Sequence, residues 1–231
     1  MGGIHESKGL DLLACNQEFN RVEPMESLNR YLKSRLVGHL DYDSWRPEEK
    51  LKYLKYFPKN VTTVLDVGCG RGELLWLLKN KGFKVEGCDT DEFCIRKARS
   101  IIEEVKYADI EKLSECYTND SFDLLTCLHV LEHCHSPYTA LKELKTVTRR
   151  YILVAVPNAR YVAHEERDTH LYSWSEKTFK NILENTGLKI LLFSRDWVNI
   201  FPNLLRMTPI LNVILLKIFF GPMELIALVE K

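Results

Sequence analysis

The stretch at residues 64–75 constrains the fold of this chain more than any other part of the sequence. It reads VLDVGCGRGELL, so an apolar run breaks into three alternating glycines and then into leucines at helical spacing. This order predicts a strand, a tight turn and a helix. Glycine lets a ligand approach the backbone closely, and a helix start directs unpaired N–H groups at the same point. The stretch therefore predicts a ligand-binding loop.

The spacing of the glycines indicates which class of ligand the loop binds. Dinucleotide-binding dehydrogenases carry Gly-x-Gly-x-x-Gly, whereas Gly68, Gly70 and Gly72 follow Gly-x-Gly-x-Gly, with Asp66 two positions before the first. A second predicted strand then ends in Asp89. An acid at the tip of the second strand of a βαβ unit accepts hydrogen bonds from ribose hydroxyls, so the two features together predict a ligand that contains a nucleoside.

Strands and helices alternate along the chain from residue 62 to residue 194. Such alternation predicts a parallel sheet with helices on both faces. The predicted strands lie near 62–67, 84–88, 104–108, 122–127, 150–156 and 188–194, and the predicted helices near 73–81, 91–102, 136–147 and 175–186.

Two further segments, YADI at 107–110 and SFDLLTCLHVLEH at 121–133, follow the glycine loop and KVEGCD. In order and spacing the four segments resemble motifs I to IV of class I S-adenosylmethionine (SAM)-dependent methyltransferases, in particular the branch of quinone-ring O-methyltransferases and other small-molecule enzymes. The resemblance covers residues 45–195. It implies a doubly wound, Rossmann-like α/β fold in three α/β/α layers. Its seven-stranded sheet would be mostly parallel, with the last strand, near 225–229, antiparallel between the fifth and sixth.

The resemblance also implies SAM as cofactor, with S-adenosylhomocysteine as product. It places Asp66 near the methionine end, Gly68 and Gly70 against the cofactor, and Asp89 on the ribose. It also places Asp109 and Ile110 at the amine and ring of the adenine. An alternative is that Asp66 and Asp109 only cap turns. The complete set of expected cofactor-binding residues is Asp66, Gly68, Cys69, Gly70, Gly72, Asp89, Thr90, Asp109, Ile110 and Leu128.

Three histidines, His129, His133 and His170, are the candidates for catalysis. The run HVLEH fits the H-x-x-E-H pattern of zinc peptidases, but that pattern requires a helix, whereas here it follows the fourth predicted strand. The metal-dependent methyltransferases that this chain resembles carry Glu-x-x-Glu-His at these positions. His129 stands in place of their first glutamate, and a hard cation prefers such a carboxylate as ligand. We therefore expect catalysis without a metal. The alternatives are a structural hydrogen bond for His133 and a pocket-lining role for His170.

Composition bears on the methyl acceptor and the compartment. The 32 Lys and Arg balance the 32 Asp and Glu, so there is no basic footprint for nucleic acid. The seven cysteines contain no C-x-x-C, and residues 1–20 contain no apolar core, which favours a cytoplasmic protein with reduced thiols. We expect methyl transfer to O, N or C of a small or lipid-like molecule. A metal-assisted RNA terminal 2′-O-methyltransferase and a non-catalytic scaffold are the alternatives.

The two ends of the chain lie outside the resemblance. Residues 1–57 are expected to form an N-terminal arm and a helical cap, with helices near 25–40 and 47–57, and residues 58–231 the methyltransferase domain. Residues 196–222 form an apolar insertion before the last strand, whose run ILNVILLKIFF is too short to cross a bilayer. We expect residues 201–220 to contact a hydrophobic substrate, a membrane surface or a second subunit. The last two alternatives correspond to peripheral membrane contact and to a homodimer. The alternative is that they pack on the sheet.

Overall fold

The computed structural model describes residues 45–159, 170–196 and 224–231. The expectations for the arm, for a helix near 25–40 and for the apolar segment 201–220 fall outside these residues.

A seven-stranded sheet forms the centre of the fold. Its spatial order is β3-β2-β1-β4-β5-β7-β6, and β7 runs antiparallel to both of its neighbours while the other pairs are parallel. This confirms the expected fold class, including the position of the last strand. The strands are β1 (Thr63–Val67), β2 (Lys84–Asp89), β3 (Val105–Tyr107), β4 (Phe122–Leu128), β5 (Thr148–Pro157), β6 (Lys189–Asp196) and β7 (Glu224–Glu230).

Four α-helices and three 3-10 helices lie within the described residues. Side-chain caps start three of the α-helices: Asp91, Ser136 and Ser175 each accept a hydrogen bond from the backbone N–H three residues later. The α-helices are α1 (Glu73–Asn80), α2 (Glu92–Arg99), α3 (Pro137–Val147) and α4 (Glu176–Asn185), and the 3-10 helices are Pro47–Tyr56, Ile110–Glu115 and Leu131–His133. The predicted elements are present, although α2 ends before residue 102.

Helices cover both faces of the sheet because its central strands are apolar on both sides. Alternate residues of a strand point to opposite faces. Leu65 of β1 accordingly joins a core with Leu141 of α3 and Phe179 of α4, whereas its neighbour Val64 joins a second core with Leu74 of α1. The result is the expected three-layer arrangement.

The helix Pro47–Tyr56 belongs to the second of these cores. Tyr53, Leu54, Tyr56 and Phe57 are all buried there, and the ring of Phe57 packs edge-on against Phe83 at 5.8 Å. The described part of the predicted cap therefore shares its core with the sheet, while the division of the chain at residue 57 stays a prediction. Among the described residues, no helix is long and apolar enough to span a bilayer.

Candidate active site

The carboxyl ends of β1, β2 and β4 meet at one edge of the sheet. The register pairs Val67 of β1 with Cys88 of β2 on one side and with Cys127 of β4 on the other. The glycine loop follows β1 directly, and its first two backbone N–H groups, those of Gly68 and Cys69, donate to the carbonyl of Cys88 at 2.8 and 2.9 Å. The loop is thus held on the tip of β2.

Each glycine of the loop has a positive φ: 72° at Gly68, 55° at Gly70 and 88° at Gly72. A side chain at Gly68 would collide with Val130, 2.3 Å from the position of its Cβ, and one at Gly72 would press on Ala98 at 3.2 Å. A Cβ at Gly70 would meet no described atom within 4 Å. Gly70 therefore borders open space at the start of α1, where the atoms of a cofactor fit.

Asp89 joins this loop to the turn after β2. One carboxylate oxygen accepts the N–H of Gly70 at 2.8 Å, and the other accepts the N–H of Asp91 at 2.9 Å. Each oxygen of a carboxylate has a second lone-pair site, so Asp89 can still accept hydrogen bonds from ribose hydroxyls. The residue fixes the loop and offers the predicted ribose contact from the same carboxylate.

Asp66 is buried at the end of β1, with 4% of its surface exposed. Thr126 of β4 donates to its carboxylate at 2.6 Å. Burial raises the pKa of Asp66 to about 7, although the hydrogen bond from Thr126 and the charge of Lys50 act in the opposite direction. A cation bound beside this carboxyl would favour the ionised form.

The other expected cofactor residues differ in their surroundings. Asp109 accepts the N–H of Glu111 at 2.9 Å and so caps the helix Ile110–Glu115, which is the turn-capping role considered from the sequence. A contact with adenine stays a prediction for this residue. Ile110, Cys69 and Leu128 are buried, and Thr90 is exposed.

His129 follows β4 in a left-handed backbone conformation, with φ of 60°. Its N–H donates to the carbonyl of Ala155 at 2.9 Å. In its ring, Nε2 is hydrogen-bonded to Oε1 of Glu224, and Nδ1 lies 3.5 Å from Oε1 of Glu132. Burial acts against protonation, but these two carboxylates outweigh it and raise the pKa of His129.

Glu224, the first residue of β7, is fully buried within the same network. It accepts hydrogen bonds from the Tyr53 hydroxyl and, at 2.5 Å, from Lys52 Nζ. Burial alone would raise the pKa of Glu224, yet His129 and Lys52 lower it to about 2. No sequence pattern predicts Glu224 or Lys52 as site residues, because their spacing along the chain gives no sign that they meet His129.

His133 and His170 also come together beside Glu132. Their rings make an edge-on contact with centroids 4.7 Å apart, and the carbonyl of Glu132 accepts the N–H of Leu171 at 2.8 Å, which holds the loop of His170 in place. All three predicted histidines therefore lie around Glu132. Since residues 131–133 form only a short 3-10 turn, the helix that a zinc peptidase requires is not formed at this run.

A metal ion is sterically compatible with part of this cluster. Ligand atoms of Glu132, His133 and His170 all lie within 4.8 Å of one another. Oε2 of Glu132 is buried and has no hydrogen-bond partner among the described residues. Mixed nitrogen and oxygen donors suit transition metals better than Mg²⁺.

Comparison with solved structures gives the class of the fold. A SAM-dependent methyltransferase from Archaeoglobus fulgidus superposes with a TM-score of 0.62 at 22% identity, covering 87% of this chain and 99% of that one. One from Mesorhizobium loti has a TM-score of 0.62 at 16% identity, with 82% and 99% covered. The fold is that of class I SAM-dependent methyltransferases.

Sequence comparison then gives the family. Residues 42–192 match the family model described as a methyltransferase domain, and since this is more than half of the chain, the protein belongs to that family. A ubiquinone biosynthesis O-methyltransferase of Coxiella burnetii is 29% identical over 192 residues, covering 64% of this chain and 81% of the relative. The protein is a SAM-dependent methyltransferase, and the residues around Gly70 fit its cofactor.

Proposed function

We propose that this protein transfers a methyl group from SAM to the ring hydroxyl of a small phenolic acceptor. The position of Val130 supports the proposal: a Cβ at Gly68 would lie 2.3 Å from its side chain, so the turn after β4 begins next to the glycine loop. The Coxiella burnetii relative is named as an O-methyltransferase of ubiquinone biosynthesis, and this name supports a hydroxyl oxygen as the acceptor atom.

The chemistry needs few groups from the protein. SAM supplies a methyl group on a sulfonium, and holding two reactants in line can contribute roughly 7–11 kcal/mol to lowering the barrier. A hydroxyl acceptor must also lose its proton. We propose His133 and His170 as the proton acceptors, because their rings lie together beside Glu132 in the turn after β4. Both ring nitrogens of His129 face carboxylates, which suits a different role.

A direct assay tests the acceptor class. The protein is incubated with SAM and, separately, with catechol, an aliphatic amine and a short RNA, and formation of S-adenosylhomocysteine is measured. We expect turnover with catechol and none with the amine. Normal SAM binding together with turnover of only the amine or the RNA would contradict the proposed acceptor.

A second candidate is metal-assisted methylation of the terminal 2′-hydroxyl of RNA. The observation in its favour is the cluster of Glu132, His133 and His170 with the unpartnered Glu132 oxygen. The RNA arm of the assay is therefore run with EDTA, with Mg²⁺ and with Mn²⁺. Turnover of RNA that depends on one of these ions would establish this candidate instead.

A further inference from the structure

Glu224 is a buried carboxylate that the cofactor loop does not use. Removing a carboxylate from water costs several kcal/mol, and apolar residues of similar volume often stabilise a core at least as well. Glu224 nevertheless lies fully buried at the carboxyl edge of the sheet, where β7 pairs it with Pro157 of β5. Its presence there calls for an explanation other than stability.

The carboxylate connects three segments that are far apart in the sequence. Lys52 and Tyr53 reach it from the helix Pro47–Tyr56, and His129 reaches it from the end of β4. The exposed fraction of the side chain is 34% for His129 but 14% for Lys52 and 0% for Glu224. His129 therefore has the most exposed side chain of these three residues, and its neighbour Val130 lies next to Gly68 of the glycine loop.

Two carboxylates flank the imidazole of His129, and a hydrogen bond fixes its backbone. Glu224 binds Nε2, Glu132 faces Nδ1 at 3.5 Å, and the backbone N–H is bonded to Ala155. In addition, the hydroxyl oxygen of Tyr53 lies 3.4 Å from Nε2 of His129. A ligand can therefore meet only the face and the carbon edge of this ring, which suits packing against a planar aromatic group.

We propose that Glu224 is a positioning residue for methyl transfer, which fixes His129 as a flat wall of the acceptor site. His129 then orients the acceptor and takes no proton from it. This inference rests on the proposed function, since it concerns the placement of the acceptor ring. The left-handed backbone of His129 agrees with it, because such strained positions cluster at functional sites.

A spectroscopic test needs no acceptor. In protein labelled with ¹⁵N-histidine, the ring nitrogens of His129 are identified by their loss in His129→Gln. Glu224→Gln keeps the shape of the side chain and removes its charge. The matched control is Glu230→Gln at the other end of β7, whose partners Arg150 and Lys189 are exposed.

We expect one fixed set of His129 ring signals in the wild type and in Glu230→Gln. In Glu224→Gln we expect shifted signals that average two tautomers. SAM affinity, measured by calorimetry, should stay within about twofold in all variants. His129 signals that are identical in Glu224→Gln and the wild type would overturn the positioning role. If Glu224→Gln fails to fold, Tyr53→Phe, which removes one donor to Glu224, is used with the same criteria.

Kinetics with catechol provide the second test. We expect Glu224→Gln and His129→Gln to lower kcat/KM about 10²-fold, mainly through KM, as for a misplaced reactant. The acidic limb of the rate profile against pH should persist in His129→Gln. Loss of that limb would make His129 the base and overturn the inference. Failure of the wild type to methylate catechol would contradict the proposed acceptor, whereas the histidine spectra would still decide the role of Glu224.

Discussion

Two glycines of the chain share a positive φ and open space around a Cβ, but they lie at different positions in the fold. Gly70 and Gly82 both have a positive φ, and a Cβ at either would meet no described atom within 4 Å. Gly70 lies in the cofactor loop, whereas Gly82 follows α1 at the opposite edge of the sheet. Valine substitutions at these two glycines therefore distinguish the effect of backbone strain from the effect of a side chain in the proposed cofactor site.

We expect Gly70→Val to weaken SAM binding at least tenfold, because the new side chain occupies the space of the cofactor; tenfold corresponds to about 1.4 kcal/mol. Gly82→Val also places a β-branched side chain at a positive φ, 87° against 55° at Gly70, and should bind SAM as the wild type does. Calorimetry on both folded variants is the measurement. Equal SAM affinities in the two variants would show that the cofactor does not lie against Gly70.

We expect Asp66 to make SAM binding dependent on pH. Its pKa is raised from 3.8 to about 7 by burial, and the ionised form should attract the ammonium group at the methionine end of SAM. We therefore expect SAM affinity to increase as the pH rises through 7, and Asp66→Asn to remove this increase. Calorimetry between pH 6 and 8 is the test, and an equally steep increase in Asp66→Asn would assign it to another group.

The Asp66 carboxyl also makes the stability of the folded protein depend on pH, and stability is expected to fall as SAM affinity rises. Because the folded state holds the Asp66 proton more tightly than the unfolded state, its contribution is complete below pH 3.8 and is lost as the pH rises to about 7. The melting temperature of the wild type without SAM should therefore decrease over this interval more than that of Asp66→Asn. A parallel decrease in both proteins would contradict the raised pKa.

At the scale of elements, the short turn after β4 determines whether a metal takes part. It brings Glu132 and His133 to His170, but His129 is engaged by Glu224. We expect methyl transfer to catechol to survive EDTA, because deprotonation of a phenol beside His133 and His170 needs no Lewis acid. His170→Gln should then lower kcat with or without added Mn²⁺.

A loss of turnover in EDTA that a single divalent ion restores would contradict this expectation. Glu132, His133 and His170 would then be assigned as its ligands, and Glu132→Gln should weaken binding of that ion. The control is His135→Gln, two residues from His133, whose side chain is 93% exposed.

The sequence predicts the elements of this fold better than it predicts their contacts. Hydrophobic patterns locate the strands. The glycine loop and Asp89 directly follow strands, so local rules predict their positions, while their contacts with the cofactor stay predictions. Glu224 and His129 lie 95 residues apart and meet only because β7 enters the sheet beside β5. Such a contact depends on the complete topology, and no local pattern indicates it.

The sequence predicts the helix Pro47–Tyr56 but not its helix type or its contacts. Proline at its start and the apolar spacing predict a helix, and one forms, but as a 3-10 helix. That Lys52 and Tyr53 contact Glu224 could not be predicted, since the two segments are about 170 residues apart.

At the scale of the whole molecule, the apolar segment 201–220 stays a prediction. We expect it to contact a greasy acceptor, a membrane or a second copy, because it carries only Arg206 and Lys217 as charged residues and exposed apolar patches of several hundred Å² usually mark an interaction. Liposome flotation and light scattering on the wild type and on a variant with Ile214→Glu and Leu215→Glu test this. A monomer that ignores liposomes, with a variant that unfolds, would instead place the segment in the core.

The place of β7 in the sheet has a consequence for synthesis on the ribosome. β7 is the last of the seven strands to leave the exit tunnel, yet it is hydrogen-bonded on both sides, to β5 and to β6. Until it arrives, those two strands expose unpaired edges, which are prone to aggregation. Glu224 emerges with β7, whereas every residue of the glycine loop precedes it in the chain. We therefore expect the glycine loop to leave the ribosome well before the proposed acceptor site can be completed.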